Sequence, residues 1–220
     1  LDCGCGFGRH LYHAAAAGAR LALGADLSHA VDAAARNVAT LENAHVIQAD
    51  LHALPGAPGV DLVYAIGVLQ HLPDPVAGFV RVSAAVRPGG RVFAWSYGQR
   101  PGSYRRVVDS LRRVTVGMAP RRLRVLSGLL AILSFGLLAL PRRALEALAL
   151  PRLGAAIPYS RYARYPFQVS QADWYDRLAA PQTAYLAEAD AWEMLRRAGC
   201  KEGRVAPREG GSWRILGRVT

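Results

Sequence analysis

Residues 1–10 read Leu-Asp-Cys-Gly-Cys-Gly-Phe-Gly-Arg-His, an acid followed by glycines at alternate positions, and an alanine-rich segment follows directly. Glycine lets the backbone turn sharply and approach a ligand closely, and the N-terminus of a following helix carries partial positive charge. The stretch therefore predicts a strand, a tight loop and a helix, with a small ligand held in the loop.

Two common glycine loops do not match this spacing. The dinucleotide fingerprint needs a third glycine where Arg9 stands, and the phosphate-binding P-loop needs a Gly-Lys pair, whereas the single lysine of the chain is Lys201. The remaining pattern, Asp2-x-Gly4-x-Gly6-x-Gly8, resembles the first motif of class I S-adenosylmethionine-dependent methyltransferases. The resemblance implies that the glycines lie under the methionine part of that cofactor.

Acids end the next two apolar segments. Asp26 closes the run that begins at Leu21, about twenty residues after the loop, and Asp50 closes a run that begins at Val46. Ser28 predicts the cap of a helix to about Leu41. Either acid is also an ordinary cap or turn residue. By the resemblance, Asp26 holds the ribose hydroxyls and Asp50 contacts the adenine amino group, and the expected cofactor site includes the following residues of each run, Leu27 and Leu51.

Two further landmarks follow in the same order. Residues 61–72 form an apolar segment that breaks at Gly67 ahead of two prolines, and this resembles the fourth strand of the family. After a predicted helix at 76–86, residues 87–91 read Arg-Pro-Gly-Gly-Arg and lead into an apolar run ending at Trp95, which resembles the turn before the family's fifth strand. The landmarks together cover about 95 residues.

Alternating strands and helices independently predict an α/β fold with a parallel sheet. With the resemblance, the expectation is a Rossmann-like, seven-stranded sheet that is parallel except for a C-terminal antiparallel hairpin, at about 203–207 and 212–219, turning at Gly210-Gly211. The predicted organisation is a cofactor-binding core at 1–100, a helical cap at 101–170 and the C-terminal part of the sheet at 171–220. The chain has no initiating Met, and the family's first strand starts upstream of Asp2, so we expect a truncated first strand and weak cofactor binding.

Residues 125–140 contain no charge, and arginines flank them on both sides. Sixteen helical residues span about 24 Å, short of the roughly 20 residues that cross a bilayer, so we expect no transmembrane helix. A second apolar piece, 144–150, is expected to form a helical hairpin with the first. The hairpin would be a cap over the active site, and peripheral membrane contact through 125–150 is a second interpretation. Aromatic residues at 159–167 and 174–175 either line a substrate pocket or pack the cap.

Charge and cysteine content restrict the partners. The chain carries a net charge of +11, but 26 of its 27 basic residues are arginine beside abundant alanine, which indicates a compositional bias. It also lacks the Asn/Asp-Pro-Pro-Tyr motif of base-directed enzymes after the fourth strand, and together these features argue against a nucleic-acid partner. Three cysteines give neither a disulfide framework nor a zinc set and fit a reducing cytoplasm. Cys5 matches the small residue between the family's glycines.

The sequence therefore predicts a cytoplasmic methyltransferase that uses S-adenosylmethionine, binds no metal and acts on a small, apolar or aromatic molecule through O, C or N. Cofactor contacts are expected along the two acidic strand ends and the glycine loop, at Asp2, Gly4, Cys5, Gly6, Gly8, Asp26, Leu27, Asp50, Leu51 and Gly67. His71 is the candidate general base, ahead of His10, His13 and Tyr64. An RNA or protein methyltransferase and a non-catalytic cofactor-binding subunit are the alternatives.

Overall fold

The computed structural model describes residues 1–54, 59–99, 102–157, 163–208 and 211–220, with the backbone alone at 102–105 and 155. The chain forms two compact units. The first, the sheet unit, consists of Leu1–Arg100 and Gln182–Thr220, and the second, the helical unit, is Pro101–Pro181.

The sheet unit contains one seven-stranded sheet. Its strands are β1 (Asp2–Cys3), β2 (Ala22–Asp26), β3 (Ala44–Gln48), β4 (Val60–Ile66), β5 (Val86–Tyr97), β6 (Cys200–Arg208) and β7 (Ser212–Val219). They lie in the order β3-β2-β1-β4-β5-β7-β6. The first five are parallel, and β7 pairs antiparallel with both β5 and β6. The predicted Rossmann-like sheet with a C-terminal antiparallel hairpin is confirmed.

Four helices of the sheet unit are α1 (Arg9–Ala16), α2 (Ala30–Val38), α3 (Pro75–Ser83) and α9 (Glu188–Arg197). Each turns apolar residues towards the sheet, as Leu11 does from α1, Phe79 from α3 and Met194 from α9, and all three are fully buried. Phe79 and Met194 join the strand residues Val63 and Val92 in the largest hydrophobic cluster of the unit. Burial on both faces explains why these short strands are nearly continuous apolar runs.

The strand order reverses between β1 and β4. From β1 the chain moves outward through β2 to β3, and it then returns to place β4 on the other side of β1. In open parallel sheets ligands bind beyond the carboxyl ends of the strands at such a reversal. The glycine loop after β1 and Gly67 after β4 both lie there.

Two local features differ from the sequence expectation. The Arg-Pro-Gly-Gly segment is an irregularity within β5, because the partner of Val60 is Val86 whereas the partner of Leu62 is already Arg91. Helix α2 begins two residues after Ser28, whose hydroxyl still accepts a hydrogen bond from the Ala30 N–H at 3.3 Å. Of the predicted Gly210-Gly211 turn, Gly210 lies outside the described residues.

The helical unit contains α4 (Gly102–Thr115), α5 (Pro120–Ser134), a π-helical turn (Phe135–Ala139), α6 (Leu140–Ala147), α7 (Pro151–Ala156) and α8 (Phe167–Ala179). Buried polar groups connect its helices. The guanidinium of Arg112 in α4 donates from Nε to the Arg177 carbonyl of α8 at 2.8 Å. The Trp174 indole of α8 donates to the Ser134 hydroxyl of α5 at 2.8 Å.

The apolar segment is longer than predicted. Helix α5, the π turn and α6 form one continuous helix over Pro120–Ala147, 28 residues that by length and composition alone could cross a membrane. The length argument against a spanning helix is therefore wrong, and so is the predicted hairpin with 144–150, since 144–147 continue the same helix. Pro141 near the start of α6 does not end it, because the preceding π turn already displaces the regular hydrogen bonds that proline interrupts. The chain reverses at Ala149, where φ is +57°.

The second boundary between the two units lies further along the chain than predicted. The boundary predicted at 170/171 lies at Pro181/Gln182, because α8 packs against α4 and α5 of the helical unit. Part of the predicted aromatic run, including Tyr159 and Tyr162, lies outside the described residues. The proposed position of the helical unit as a cap over the active site stays a prediction.

Candidate functional site

In the glycine loop after β1, three glycines at alternate positions have a left-handed backbone conformation. The φ angles of Gly4, Gly6 and Gly8 are +77°, +51° and +80°. A Cβ on Gly4 would lie 2.2 Å from a methyl of Val68, the residue after Gly67, whereas a Cβ on Gly6 would meet no atom within 4 Å. Gly4 therefore permits the loops after β1 and β4 to touch, and Gly6 presents bare backbone to open space.

The carboxylate of Asp26 ties two loops together. The Gly6 N–H donates to its Oδ2 at 2.9 Å, and the Ser28 N–H and hydroxyl donate to its Oδ1 at 2.8 and 2.7 Å. The loop after β1 is thereby attached to the end of β2. The acid predicted to bind a ligand also fixes the loop on which the ligand would lie, and its oxygens keep lone pairs for further donors.

Asp2 lies in β1, directly before the same loop. Its side chain is 2% exposed, and among the described residues its Oδ2 is a buried oxygen with no hydrogen-bond partner. Burial raises the pKa of Asp2 to about 7. A buried carboxylate oxygen without a donor is destabilising, so this position is suited to a donor or a cation that arrives with a ligand.

The other predicted cofactor residues surround this loop. Asp50 is exposed and accepts a hydrogen bond from the His52 N–H at 2.9 Å, capping a short 3-10 turn that begins at the buried Leu51. Leu27 is 66% exposed beside Asp26. Gly67 has a φ of +75°, and its N–H donates to the Trp95 carbonyl at 2.8 Å.

Cys5 is a packing residue. Its side chain is 7% exposed and lies against Gly24 of β2, where a Cβ would come within 3.0 Å of the sulfur. Burial raises the pKa of the Cys5 thiol to about 12, which keeps the thiol neutral.

His71, the candidate base, is held by the segment that leads into α9. Its Nδ1 lies 2.9 Å from the Gln182 carbonyl oxygen and 3.2 Å from the Thr183 hydroxyl. Because a carbonyl oxygen only accepts, Nδ1 carries a proton, and the lone pair is on Nε2, 3.5 Å from the side-chain nitrogen of Gln70. Neighbouring Gln70 is fully buried and accepts from the Ser96 hydroxyl at 2.9 Å.

An aromatic cluster at the carboxyl end of β5 is absent from the sequence predictions. Tyr97 ends β5, and its ring meets those of Trp95 and His71 edge-on, with ring centroids 5.5 and 6.2 Å apart. The Tyr185 ring stacks on it with a distance of 6.3 Å between centroids. We call these four residues the aromatic cluster. The position of Tyr97 at a strand's carboxyl end was an available signal, but Tyr185 is 88 residues away in the chain and only the fold brings it there.

The comparisons with known proteins agree with this arrangement. A family model described as a methyltransferase domain matches residues 1–94, from the glycine loop to β5. Residues 1–94 of this chain are thus similar to a methyltransferase domain. A tRNA U34 carboxymethyltransferase from Pseudoalteromonas translucida is 34% identical over 95 residues, 42% of this chain and 30% of that protein. The protein of the same name from Vibrio campbellii is 31% identical over 96 residues, with the same coverage.

The chain thus spans about 30% of the length of these relatives. Two solved structures show a similar fold. Magnesium protoporphyrin IX methyltransferase from Synechocystis is 18% identical with a TM-score of 0.53, covering 100% of this chain and 73% of the other. A methyltransferase from Aquifex aeolicus is 13% identical with a TM-score of 0.53, covering 100% and 81%.

The residues at this end of the sheet fit S-adenosylmethionine. The backbone at Gly6 is open to an adjacent ligand, and the unpartnered Oδ2 of Asp2 suits an ammonium group. Asp26 and Asp50 place carboxylates after β2 and β3, where two hydroxyls and an amino group need acceptors. The glycine loop, Asp2, Asp26 and Asp50 are called the cradle below.

Gly4→Ala and Gly6→Ala distinguish the need for a left-handed backbone in the glycine loop from the need for space beside Val68. Both place alanine at a left-handed φ, which costs roughly 1–2 kcal/mol, but only Gly4→Ala also drives a Cβ into Val68. We expect the free energy of unfolding of Gly4→Ala, measured by urea titration, to be about 1–3 kcal/mol lower than that of Gly6→Ala. Adding Val68→Ala should recover part of the difference, and equal stability of the two single variants would contradict the close approach.

Proposed function

We propose that this protein transfers a methyl group from S-adenosylmethionine to a small apolar or aromatic molecule. The observation that carries the proposal is the position of the cradle and the aromatic cluster at one edge of the sheet. The cradle lies at the carboxyl ends of β1, β2 and β3, and the aromatic cluster lies at those of β4 and β5. The loops after β1 and β4 touch through Gly4 and Val68, so the two sites adjoin.

S-adenosylmethionine, when bound, supplies an electrophilic methyl group on a sulfonium. The chain itself needs to bind, orient and desolvate, since in-line displacement is accelerated chiefly by holding the reacting atoms close together. Backbone N–H groups of the glycine loop and the carboxylates of the cradle would bind polar groups of the cofactor. Aromatic rings at Tyr97 and Tyr185 would line the acceptor side and exclude water.

The base in this proposal is His71, which would take a proton from an acceptor that must lose one. Its ring contacts Tyr97 of the aromatic cluster, and its Nδ1 lies against the Gln182 carbonyl. The basic nitrogen is then Nε2, which lies 3.5 Å from the side-chain nitrogen of Gln70. The same contacts would also serve a purely positioning role, in which His71 attaches the loop after β4 to residues 182–183. A test must therefore distinguish proton transfer from attachment.

A tRNA acceptor is the second candidate. It is supported by the relatives named tRNA U34 carboxymethyltransferases, which match 42% of this chain. A match of that extent supports a shared methyltransferase domain more than a shared acceptor, because fold does not fix substrate. The aromatic cluster at the carboxyl end of β5 favours the small acceptor. A non-catalytic cofactor-binding subunit is the third candidate.

Asp50→Asn tests cofactor binding against a matched control, Asp74→Asn. Each aspartate accepts a backbone N–H at 2.9 Å as a cap, and asparagine preserves that bond in both variants. Only at Asp50 would the substitution replace an acceptor for the adenine amino group by a donor. We expect the calorimetric Kd for S-adenosylhomocysteine to rise about tenfold in Asp50→Asn, since a hydrogen bond to a charged group contributes about 1.5–3 kcal/mol. Asp74→Asn should bind as the wild type does, and equal affinity of both variants would remove Asp50 from the site.

His71→Ala and His71→Asn test the base, with His13→Ala on the exposed face of α1 as control. Turnover is measured as S-adenosylhomocysteine formed with small phenols, amines and activated methylene compounds, and with unmodified tRNA. If His71 transfers a proton, both variants should lose 10²–10⁴-fold in kcat together with the acidic limb of the pH profile. Asparagine keeps a donor for the Gln182 carbonyl, so near-normal turnover of His71→Asn would show that His71 only positions the loop.

The same acceptors separate the three candidate functions. Methylation of a small compound but not of tRNA supports the proposal, and the reverse result contradicts it. Saturable binding of S-adenosylhomocysteine without turnover of any acceptor would favour the non-catalytic subunit.

A further inference from the structure

The long helix of the helical unit has its large apolar side chains on the outside. The residues of α5 that are fully or nearly fully buried are Leu123 and the small Ser127 and Ala131. This small-residue face packs on α8, where Gln171 approaches Gly128 and Trp174 bonds to Ser134. An amphipathic helix of a soluble domain has the opposite arrangement, with large apolar residues against the core.

Exposed aliphatic residues form a stripe along the opposite face. Their exposed fractions range from 50 to 65%, and they are Val125, Leu129, Ile132, Leu133, Leu137 and Leu140. The spacing of four, three, one, four and three residues keeps them on one side of the helix, across the π turn. Leu148 and Leu153, 69% and 58% exposed, extend the apolar surface beyond the helix. A contiguous apolar surface of this kind marks an interaction site.

Positive charge accompanies the stripe. The helical unit contains thirteen arginines and four acids, so it holds a net +9 of the chain's +11. The charge is therefore localised, which a chain-wide compositional bias does not explain. Arg121, Arg122 and Arg124 are exposed at the start of the stripe, and no acid in the described part of the chain forms an ion pair with them. Arg121 and Arg122 also line an open groove of about 430 Å³ with Val125, Leu126 and Leu129.

We propose that this apolar stripe and its arginines dock the protein on the surface of an anionic phospholipid bilayer, with the helix lying in the interface. The groove joins guanidinium groups to aliphatic side chains, which matches a lipid phosphate above its acyl chains. Nucleic acid would leave the aliphatic stripe in water, because it is bound through phosphate contacts and aromatic stacking. A second copy would bring two +9 units together.

The packing of α8 determines how the long helix is oriented on the bilayer. If the helix crossed the bilayer, α8 would enter the hydrocarbon with it, because the two pack along the small-residue face of α5. Helix α8 carries the ion pair between Asp173 and Arg177, and ionised side chains are costly in hydrocarbon. With the helix parallel to the surface, the stripe meets the acyl chains and α8 stays on the aqueous side.

Vesicle co-sedimentation tests the docking surface. The protein is mixed with vesicles of phosphatidylcholine alone or with 30 mol% phosphatidylglycerol, at low and at high salt. We expect binding to the anionic vesicles that is several-fold weaker at high salt and on neutral vesicles. Alkaline carbonate should release the bound protein, whereas retention would show a spanning helix and overturn the interfacial orientation. Absence of binding to anionic vesicles would overturn the proposal.

Two variant pairs locate the surface. Leu129→Glu/Leu133→Glu should reduce the vesicle partition coefficient at least tenfold, while Leu21→Glu, an equally exposed leucine of the sheet unit, should not. Arg121→Gln/Arg122→Gln should reduce it roughly fivefold per arginine on anionic vesicles, while Arg204→Gln/Arg208→Gln in β6 should have little effect. Circular dichroism checks folding of each variant.

The competing occupants give different results. A dimer in analytical ultracentrifugation without lipid that Leu129→Glu/Leu133→Glu dissociates would overturn the proposal in favour of a second copy. Tight binding of a single-stranded RNA that depends on Arg121 and Arg122, with vesicle binding unchanged in Leu129→Glu/Leu133→Glu, would overturn it in favour of nucleic acid.

Discussion

The contact between Gly4 and Val68 determines how the cradle is built. A side chain at residue 4 would overlap the Val68 methyls, so the loops after β1 and β4 meet only because glycine occupies that position. The meeting lies where the strand order reverses, and it brings the cradle beside the loop that carries His71. Asp26 then fixes the outer part of the glycine loop by accepting the Gly6 N–H. Backbone geometry, rather than side-chain chemistry, thus organises the site.

The two units carry different physical properties. The sheet unit has a net charge of +2 and packs its hydrophobic core against the sheet. The polar groups of its cradle lie at one end of the sheet. The helical unit holds the rest of the positive charge and exposes a continuous aliphatic stripe. This division gives the catalytic proposal and the membrane proposal separate structural bases. Failure of one would leave the other standing.

Local sequence signals predicted that the cradle residues lie at one end of the sheet. The alternating glycines and the acids that end β2 and β3 are each short-range patterns, and the structure places them at one edge of the sheet. The sequence did not reveal that Asp26 bonds to Gly6, because that contact depends on how two loops meet. The aromatic cluster was missed for the same reason, since Tyr97 and Tyr185 are neighbours only in the folded chain.

The helical unit was predicted less well, for a different reason. Arg142, Arg143 and Pro141 resemble the end of a helix, but the π turn before them lets the helix continue to Ala147. The inverted burial of α5 was also invisible, because a segment that is apolar on all sides has no periodic pattern to show which face is covered.

We infer that the cradle binds S-adenosylmethionine through a set of residues that includes Asp2. Calorimetric titration with S-adenosylhomocysteine at pH 6.5 and 8.5, in buffers of different ionisation enthalpy, tests it most directly. The pKa of Asp2 is raised to about 7, so Asp2 is largely protonated at pH 6.5, and an ammonium group beside it would favour the ionised form. We expect saturable one-site binding at both pH values, with proton release at pH 6.5 that disappears at pH 8.5 and in Asp2→Asn. Absence of saturable binding at either pH would contradict it.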